Sequence, residues 1–296
     1  MKKEENKVYV VARGNRRIRI TLGLTILFLI FIVPIAFAKL SPLSHNYKSV
    51  KAEVSVPFDE KHITKFLELP YIADSTYLIS CKAGRYTSLY SPKDKQSLWV
   101  AYLLTQKDVA IEAVERSNNF RECPTVLMKG WQTAQRSDYK GSSFDRGHLL
   151  PSRDRAQTTE ENSSTFYFSN ISPQRARLNR GGWMYLESYV REVAKKYGFV
   201  YVVVGVIFDK NTKSYIGENK VTIPKYFYKA LLTMIDGKYV SVGFIMPNSE
   251  DVKSNYISYI TSVNNIEKVT GVDLFTHLAD SIEEVCELQK QPFKIN

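Results

Sequence analysis

Four consecutive residues, Asp145-Arg146-Gly147-His148, place a carboxylate, a guanidinium and an imidazole within one short segment. The segment is followed by further polar residues within one stretch of the chain: Asn170, Gln174, Asn179, Glu187 and Arg191. A neutral imidazole takes a proton from water near pH 7. Amide and carboxylate oxygens hold hard divalent cations, and guanidinium groups clamp phosphate oxygens. Together these residue types suit metal-assisted cleavage of a phosphodiester.

Part of this set recurs at every fourth position: Asn179, Trp183, Glu187 and Arg191. Because positions i and i+4 lie on one face of a helix, residues 178–196 are predicted to form a helix that faces the site. Gly181 and Gly182 weaken its first turn and leave room for a substrate backbone. Residues 166–168 predict a short strand before the helix, and residues 170–177 predict the loop between them.

These blocks resemble the signature of the DNA/RNA non-specific endonucleases of the ββα-metal type, which include mitochondrial endonuclease G and secreted bacterial nucleases. The matching blocks cover residues 137–152, 165–174 and 178–187, with looser matches further out. A lone Asp-Arg-Gly-His would be a weak signal, but an ordered set of blocks between about residues 77 and 278 is a strong one. The resemblance implies an α+β protein with the ββα-metal (His-Me finger) fold, in which helices flank a central, mainly antiparallel sheet.

The resemblance also implies a role for each residue of the set. His148 is expected to be the general base that activates the attacking water. Asn179 is expected to be the one direct protein ligand of a Mg²⁺ ion, for which Mn²⁺ is a substitute, while Glu187 holds the water shell of the metal. Arg116 and Arg191 are expected to stabilise charge on the phosphate, while Arg146 either contacts a neighbouring phosphate or supports the loop. Orientation of the site is assigned to three further residues: Asp145, Asn170 and Gln174.

Several of these residues have ordinary structural alternatives. Asn179 is also a favourable helix N-cap, and Glu187 is spaced to pair with Arg191 on a helix surface. The aromatic residues at 166–168 favour a place in the core. Residues 153–155 either contact phosphates or form a surface loop of ion pairs.

The chain has 296 residues and a formal net charge of +11. Residues 1–38 hold seven basic and two acidic side chains, a net of +5, which leaves +6 for the remainder. A basic surface suits a polyanion, and the expected partners are DNA and RNA, contacted through the phosphate backbone rather than through base edges. Charge alone is weak evidence, since many basic proteins bind no nucleic acid.

The amino-terminal region is predicted to be a targeting or anchoring element. Basic residues end at Arg19, and the uncharged residues 20–38 are about long enough to cross a bilayer. Small residues before position 39 suit signal-peptide cleavage near Ala38, whereas the long basic region favours an uncleaved membrane anchor. Both alternatives stay open, and both export the rest of the chain, either membrane-anchored and facing outward or periplasmic or secreted.

The predicted organisation is a basic region (1–19), the apolar segment (20–38), a polar linker (39–60) and one endonuclease domain (61–296). Strands are predicted at 98–104, 199–208 and 239–246, and helices at 256–269 and 281–289. Cys81, Cys123 and Cys286 allow one disulfide or none, and their spacing fits no zinc site. A homodimer is also left open.

The favoured function is a Mg²⁺-dependent endonuclease with little sequence preference, and two other functions remain possible at this level. A non-catalytic protein that captures nucleic acid at the cell surface would use the same basic groove without needing His148. A phosphodiesterase for another anionic substrate would keep the chemistry and change the substrate. The complete set of catalytic residue types favours the endonuclease.

Overall fold

The computed structural model describes residues 63–110 and 112–295. The predicted basic region, apolar segment and linker (1–60) therefore lie outside the described residues. No helix within the described ranges is long and apolar enough to span a membrane. All three cysteines are described, and all three are free thiols.

The strands of the domain are β1 (Leu78–Cys81), β2 (Tyr86–Ser91), β3 (Gln96–Thr105), β4 (Asp145–His148), β5 (Ile171–Gln174), β6 (Phe199–Ile207), β7 (Tyr215–Ile216), β8 (Val221–Thr222), β9 (Tyr226–Ile235), β10 (Lys238–Pro247) and β11 (Ile260–Thr261). Seven of them form one antiparallel sheet in the order β1-β2-β3-β6-β9-β10-β11. The predicted central, mainly antiparallel sheet is confirmed.

The helices are α1 (Gln106–Ala110), α2 (Pro124–Met128), α3 (Arg136–Tyr139), α4 (Thr159–Ser164), α5 (Trp183–Tyr197), α6 (Val263–Thr270) and α7 (Asp280–Cys286). They cover both faces of the sheet. Leu186 and Val190 of α5 pack on one face, against even-numbered residues of β6 such as Val202. Ile266 of α6 packs on the other face, against odd-numbered residues such as Val203. Strand β6 is therefore buried on both sides, which explains its continuous run of apolar residues.

Helix α5 confirms most of the helix predicted at 178–196, but its entry differs. Leu178–Gly182 forms a π-helical turn in which Gly181 leaves helical geometry, with φ −116° and ψ −115°. Gly182 packs closely against the backbone of Lys253, since a Cβ at position 182 would lie 2.8 Å from the Lys253 carbonyl oxygen. The two glycines thus kink the chain and let it pass close to its neighbour.

The strand predicted at residues 166–168 is wrong. Phe168–Asn170 is a short 3₁₀ turn, and the strand follows it as β5, where a loop was predicted. Phe166 and Phe168 are fully buried in a cluster with Phe120 and Tyr139. Their aromatic character reflects packing of a compact turn rather than a sheet, so a β-type composition was misleading here.

The helix predicted at 256–269 is only partly present. Tyr256–Tyr259 is a 3₁₀ turn, β11 follows, and α6 begins after Ser262. The Ser262 side chain accepts a hydrogen bond from the backbone N–H of Asn265, which is an N-cap that starts a new helix. This cap separates the 3₁₀ turn from α6, although apolar residues recur at helical spacing through both elements. The helix predicted at 281–289 corresponds to α7.

Candidate active site

The Asp145–His148 segment forms β4 and pairs with β5 in a two-stranded antiparallel hairpin. His148 lies opposite Ile171 and Asp145 lies opposite Gln174. Gly147 faces the side chain of Gln174 so closely that any Cβ there would collide with it. The chain then passes through the π-helical turn into α5, so the sequence builds a strand–strand–helix unit around the motif.

His148 is buried, with 7% of its surface exposed. Its ring packs edge-on against Phe166, with ring centroids 4.8 Å apart, and lies 5.6 Å from the ring of Phe120. Burial, together with the charges of Arg116 and Arg146, lowers the pKa of His148 to about 3. The imidazole is therefore neutral at pH 7, which is the state in which it can accept a proton.

The strand that carries His148 is fixed by Asn170, which is fully buried. The Asn170 side chain accepts a hydrogen bond from Leu150 N–H at 2.9 Å and donates to the Leu150 and Thr165 carbonyls at 2.9 and 2.8 Å. The Asn170 carbonyl also accepts from Leu149 N–H at 2.9 Å. Asn170 thus fixes the backbone of Leu149 and Leu150, the two residues that directly follow His148.

Asp145 holds two residues of the π-helical turn. Its carboxylate accepts from the side-chain amide of Asn179 at 2.9 Å and from the Arg180 guanidinium at 2.8 and 2.7 Å. Although desolvation opposes it, these hydrogen bonds lower the pKa of Asp145. Because the Asn179 amide nitrogen donates to Asp145, its amide oxygen is left as an acceptor. Asn179 lies inside the turn, so the N-cap alternative is wrong.

Glu187 lies on α5 and is partly exposed. Desolvation raises its pKa to about 7, while the charges of Lys229, Arg191 and Arg116 oppose that rise. The predicted surface pair with Arg191 is wrong. Arg191 instead forms a buried ion pair with Asp154, at 3.1 Å, and donates to Ser188 at 3.0 Å.

Residues 153–155 were predicted to contact phosphates or to form a surface loop of ion pairs. Only Arg153 forms such a surface ion pair, because it is exposed and pairs with Glu112. Asp154 and Arg155 are fully buried. Asp154 accepts from Tyr102 at 3.1 Å in addition to its pair with Arg191. The Arg155 guanidinium donates to four backbone carbonyls: Gly84, Arg85, Leu103 and Asp154. Asp154 and Arg155 can be buried because each charged group has hydrogen-bond or ion-pair partners.

Arg116 and Arg146 lie close enough to the imidazole for both charges to act on it. The Arg116 guanidinium lies 4.9 Å from the centre of the Phe166 ring and donates to Ser152 Oγ at 2.5 Å. The Arg146 guanidinium lies 4.3 Å from the centre of the Phe120 ring. Since these two rings also pack against His148, both cations lie at the aromatic cluster that holds the imidazole, where they could hold phosphate oxygens.

Gln174 is also part of the hairpin, and it is fully buried. Neither its amide oxygen nor its amide nitrogen has a hydrogen-bond partner in the described part of the chain. The structure therefore places Gln174 beside the motif without showing what it orients.

Sequence reasoning missed Arg180 and Lys229. Arg180 follows Asn179 directly, but nothing in the local pattern indicates that it pairs with Asp145. Lys229 is a charge inside the otherwise apolar run of β9, and it is fully buried. A lone charge in a predicted central strand is the signal that could have identified it.

No group of three or more His, Cys, Asp or Glu side chains within residues 63–110 and 112–295 is arranged to hold a metal ion. The expected donor set is of another kind, because it consists of the Asn179 amide oxygen in the π-helical turn and the Glu187 carboxylate on α5. Mg²⁺ keeps several waters, so such a sparse set fits its chemistry.

The hairpin, the following helix and the mainly antiparallel sheet define a nuclease of the ββα-metal class. The family model described as DNA/RNA non-specific endonuclease matches residues 75–281. The chain therefore belongs to the DNA/RNA non-specific endonuclease family.

Curated relatives agree with this placement. Nuclease C1 of Cunninghamella echinulata var. echinulata is 33% identical over 68% of this chain and 84% of its own length. Human mitochondrial endonuclease G is 32% identical over 63% of this chain and 66% of its own length. Among solved structures, a chain in the crystal structure of the EndoG/EndoGI complex superposes with a TM-score of 0.62 at 27% identity, covering 70% of this chain and 88% of that one.

Proposed function

We propose that this protein is a Mg²⁺-dependent endonuclease that hydrolyses DNA and RNA with little sequence preference, with His148 as its general base. The observation that carries the proposal is a neutral, buried imidazole close enough to Arg116 and Arg146 for both charges to lower its pKa. Two cations close to a base suit a phosphodiester, whose negative charge they hold while the base takes a proton from water.

The low pKa of His148 suits this role once substrate is bound. Arg116 and Arg146 contribute to lowering it in the free protein. A phosphate held by these guanidinium groups offsets their charge, so the pKa of His148 rises towards the range of an effective base. Substrate binding would therefore prepare the base as well as position the scissile bond.

Asn179 and Glu187 are the residues that would hold the metal. The hydrogen bond from the Asn179 amide nitrogen to Asp145 leaves the amide oxygen as an acceptor that could serve as a ligand. Glu187 would hold metal-bound waters. Bound Mg²⁺, or Mn²⁺ in its place, supplies charge stabilisation for the phosphoryl and leaving oxygens.

Arg191 has a different position from the other two arginines, because its side chain is only 10% exposed and is paired with Asp154. Its charge acts on the site through Glu187 and through any phosphate that reaches the remaining N–H donors. Asn170 acts indirectly, by fixing the strand that carries His148, and we assign the buried Gln174 a similar orienting role.

We also propose that the enzyme works outside the cytoplasm. The support is the uncharged run at residues 20–38 behind a basic region. An anchored enzyme and a cleaved, released enzyme both fit this pattern. Alkaline-phosphatase fusions before residue 20 and after residue 60 test the proposal, and an inactive fusion after residue 60 would contradict it.

The test of the proposed function uses purified full-length protein with supercoiled plasmid and a structured RNA, in Mg²⁺ and in EDTA. His148→Ala is compared with His277→Ala, which removes an exposed histidine elsewhere in the domain. Metal-dependent cleavage that is lost only in His148→Ala supports the proposal. Equal binding without cleavage in every protein would indicate nucleic-acid capture, and full activity of His148→Ala would reject the assigned base.

A further inference from the structure

A short basic segment leads from the β4–β5 hairpin into the π-helical turn and holds three arginines: Arg175, Arg177 and Arg180. Arg175 directly follows β5, and its carbonyl oxygen accepts a hydrogen bond from the backbone N–H of Asn179 at 2.9 Å. The three arginines therefore lie on both sides of Asn179 in the chain, next to the residue proposed to hold the metal.

The charge of Arg180 is already used inside the protein. Its guanidinium donates to both carboxylate oxygens of Asp145, at 2.8 and 2.7 Å. A bidentate pair of this kind joins one full positive charge to one full negative charge. Arg180 therefore adds no uncompensated charge to this surface.

Arg175 and Arg177 differ from Arg180, because no carboxylate within residues 63–110 and 112–295 forms an ion pair with either of them. The Arg175 guanidinium packs over the ring of Phe144, 4.1 Å from its centre. The backbone N–H of Arg175 donates to the side chain of Asn248 at 2.7 Å, so both ends of this residue are held. Arg177 is exposed and lies two residues further on. The segment thus carries two cations without a counter-charge from the described residues.

The pair is joined to the candidate active site through two successive residues. Phe144, on which Arg175 packs, directly precedes Asp145, and Asp145 accepts a hydrogen bond from the Asn179 side chain. The strand register gives the same relationship, since Asp145 lies opposite Gln174, the residue before Arg175. A nucleic-acid strand held at Asn179 would therefore meet this pair with phosphates beyond the one that is cleaved.

We propose that Arg175 and Arg177 bind backbone phosphates of the substrate strand next to the scissile phosphate, and that they position the nucleic acid without taking part in the chemical step. The inference rests on the function proposed above and adds two residues to its substrate-binding surface. Guanidinium groups suit this task because they stay charged and can donate two parallel N–H bonds to one phosphate. Contacts to phosphates carry no sequence information, which agrees with a low sequence preference.

The first experiment measures binding in EDTA, where metal-dependent cleavage does not take place. The dissociation constant of the full-length protein for a fluorescein-labelled DNA duplex is measured by anisotropy between about 50 and 200 mM KCl. Each phosphate contact contributes about 0.9 to the slope of log K against log salt. Arg175→Gln and Arg177→Gln should each lower that slope by about 0.9, which weakens binding about eightfold at about 0.1 M salt, and the double variant should lose twice as much slope.

Two further variants make the binding test specific. Arg177→Lys keeps the charge and removes the planar fork, so its slope should stay at the wild-type value. Lys268→Gln removes an exposed cation from α6, which packs on the face of the sheet opposite to α5, and should change neither slope nor affinity. Thermal unfolding midpoints show that each variant is folded.

The outcomes separate this inference from the proposed function. Wild-type slopes in both glutamine variants overturn the inference, and so does an equal loss in Lys268→Gln, because the change in net charge alone would then explain it. A wild-type protein that binds with the expected slopes and does not cleave refutes only the proposed function. A wild-type protein that cleaves, with slopes unchanged in the variants, refutes only the inference.

The second experiment separates binding from chemistry. Steady-state cleavage of the same duplex in Mg²⁺ is compared for the wild type and the Arg175→Gln, Arg177→Gln double variant. Because contacts to neighbouring phosphates are made equally in the ground state and the transition state, we expect KM to rise while kcat stays near the wild-type value. A kcat that falls at an unchanged KM would place the two arginines in the chemical step and overturn the positioning role.

Discussion

The side chain of Asp145 accepts a hydrogen bond from the side-chain amide of Asn179 at 2.9 Å. This contact joins the first residue of the β4 motif to the turn that leads into α5. The contact uses the amide nitrogen of Asn179 and leaves its amide oxygen for a ligand. The motif residue Asp145 is therefore a device that orients the proposed metal ligand.

Removal of this carboxylate should weaken metal use more than it weakens substrate binding. In Asp145→Ala the Asn179 amide can rotate, so we expect the Mg²⁺ concentration needed for half-maximal rate to rise about 10- to 100-fold, as for other partners that orient metal ligands. The measurement is a Mg²⁺ titration of plasmid nicking at saturating DNA.

Two variants make that test specific. Arg180→Ala removes the other partner of Asp145 and leaves the Asn179 hydrogen bond in place, so its Mg²⁺ requirement should stay close to wild type. Asp209→Ala breaks an exposed ion pair with Lys225 elsewhere on the domain and should have no effect. A Mg²⁺ requirement that rises equally in Asp145→Ala and Arg180→Ala would contradict the orienting role.

Asn170 should be important for stability as well as for activity. Asn170→Ala leaves the backbone N–H and carbonyl of Leu150 and the carbonyl of Thr165 without their partner in a buried region. Each unsatisfied buried group costs about 1–3 kcal/mol, and because three groups lose their partner, we expect the free energy of unfolding to fall by about 3 kcal/mol or more. Urea unfolding measures it.

The same variant should lose activity in a characteristic way. Because Asn170 fixes the strand that carries His148, we expect a lower maximal rate at an unchanged Mg²⁺ requirement. Asn162→Ala is a useful comparison, since Asn162 is another buried asparagine that donates to a backbone carbonyl, that of Ser152. A stable Asn170→Ala protein with full activity would refute the positioning role.

The sequence indicated the candidate residues of the site through a local motif and a four-residue spacing, and their catalytic roles stay predictions. The same spacing concealed the π-helical turn, since the step from Asn179 to Trp183 crosses the kink at Gly181 instead of a regular helical turn. Regular spacing predicted the helix that carries Glu187 and Arg191, while Gly181 and Gly182 give the chain before it a geometry that the spacing does not show.

The parts that could not be predicted depend on contacts between distant segments. Asp154 belongs to an Arg-Asp-Arg triplet that is typical of a surface, yet it is buried because Arg191 and Tyr102 reach it from elsewhere in the chain. Phe168 has the composition of a strand and instead packs on Tyr139, with ring centroids 5.9 Å apart. Local patterns contain no information about such partners.

The stability of the protein should depend on pH through His148. Its pKa is about 3 in the folded protein, below the value of 6.5 expected in the unfolded chain. Protons therefore bind the unfolded state preferentially between these values, so the His148 contribution is complete above pH 6.5 and is lost as pH falls towards 3. We expect the urea midpoint of the wild type to fall over this range more steeply than that of His148→Leu. Parallel curves for the two proteins would show that His148 is protonated as easily in the folded state as in the unfolded chain.

Arg116 should contribute to the chemical step through the charge it places beside His148. Its guanidinium packs over the ring of Phe166, which also packs on His148, and it donates a hydrogen bond to Ser152. In Arg116→Ala one cation that faces the phosphate is lost, and we expect the maximal rate to fall roughly 100-fold, as for other groups that stabilise developing charge.

Arg153→Ala, which removes an exposed arginine paired with Glu112, is the matched control and should keep the wild-type rate. Single-turnover cleavage of a short DNA duplex at saturating enzyme separates this loss from weaker binding. A fall that disappears at saturating enzyme would assign Arg116 to substrate binding and remove it from the chemical step.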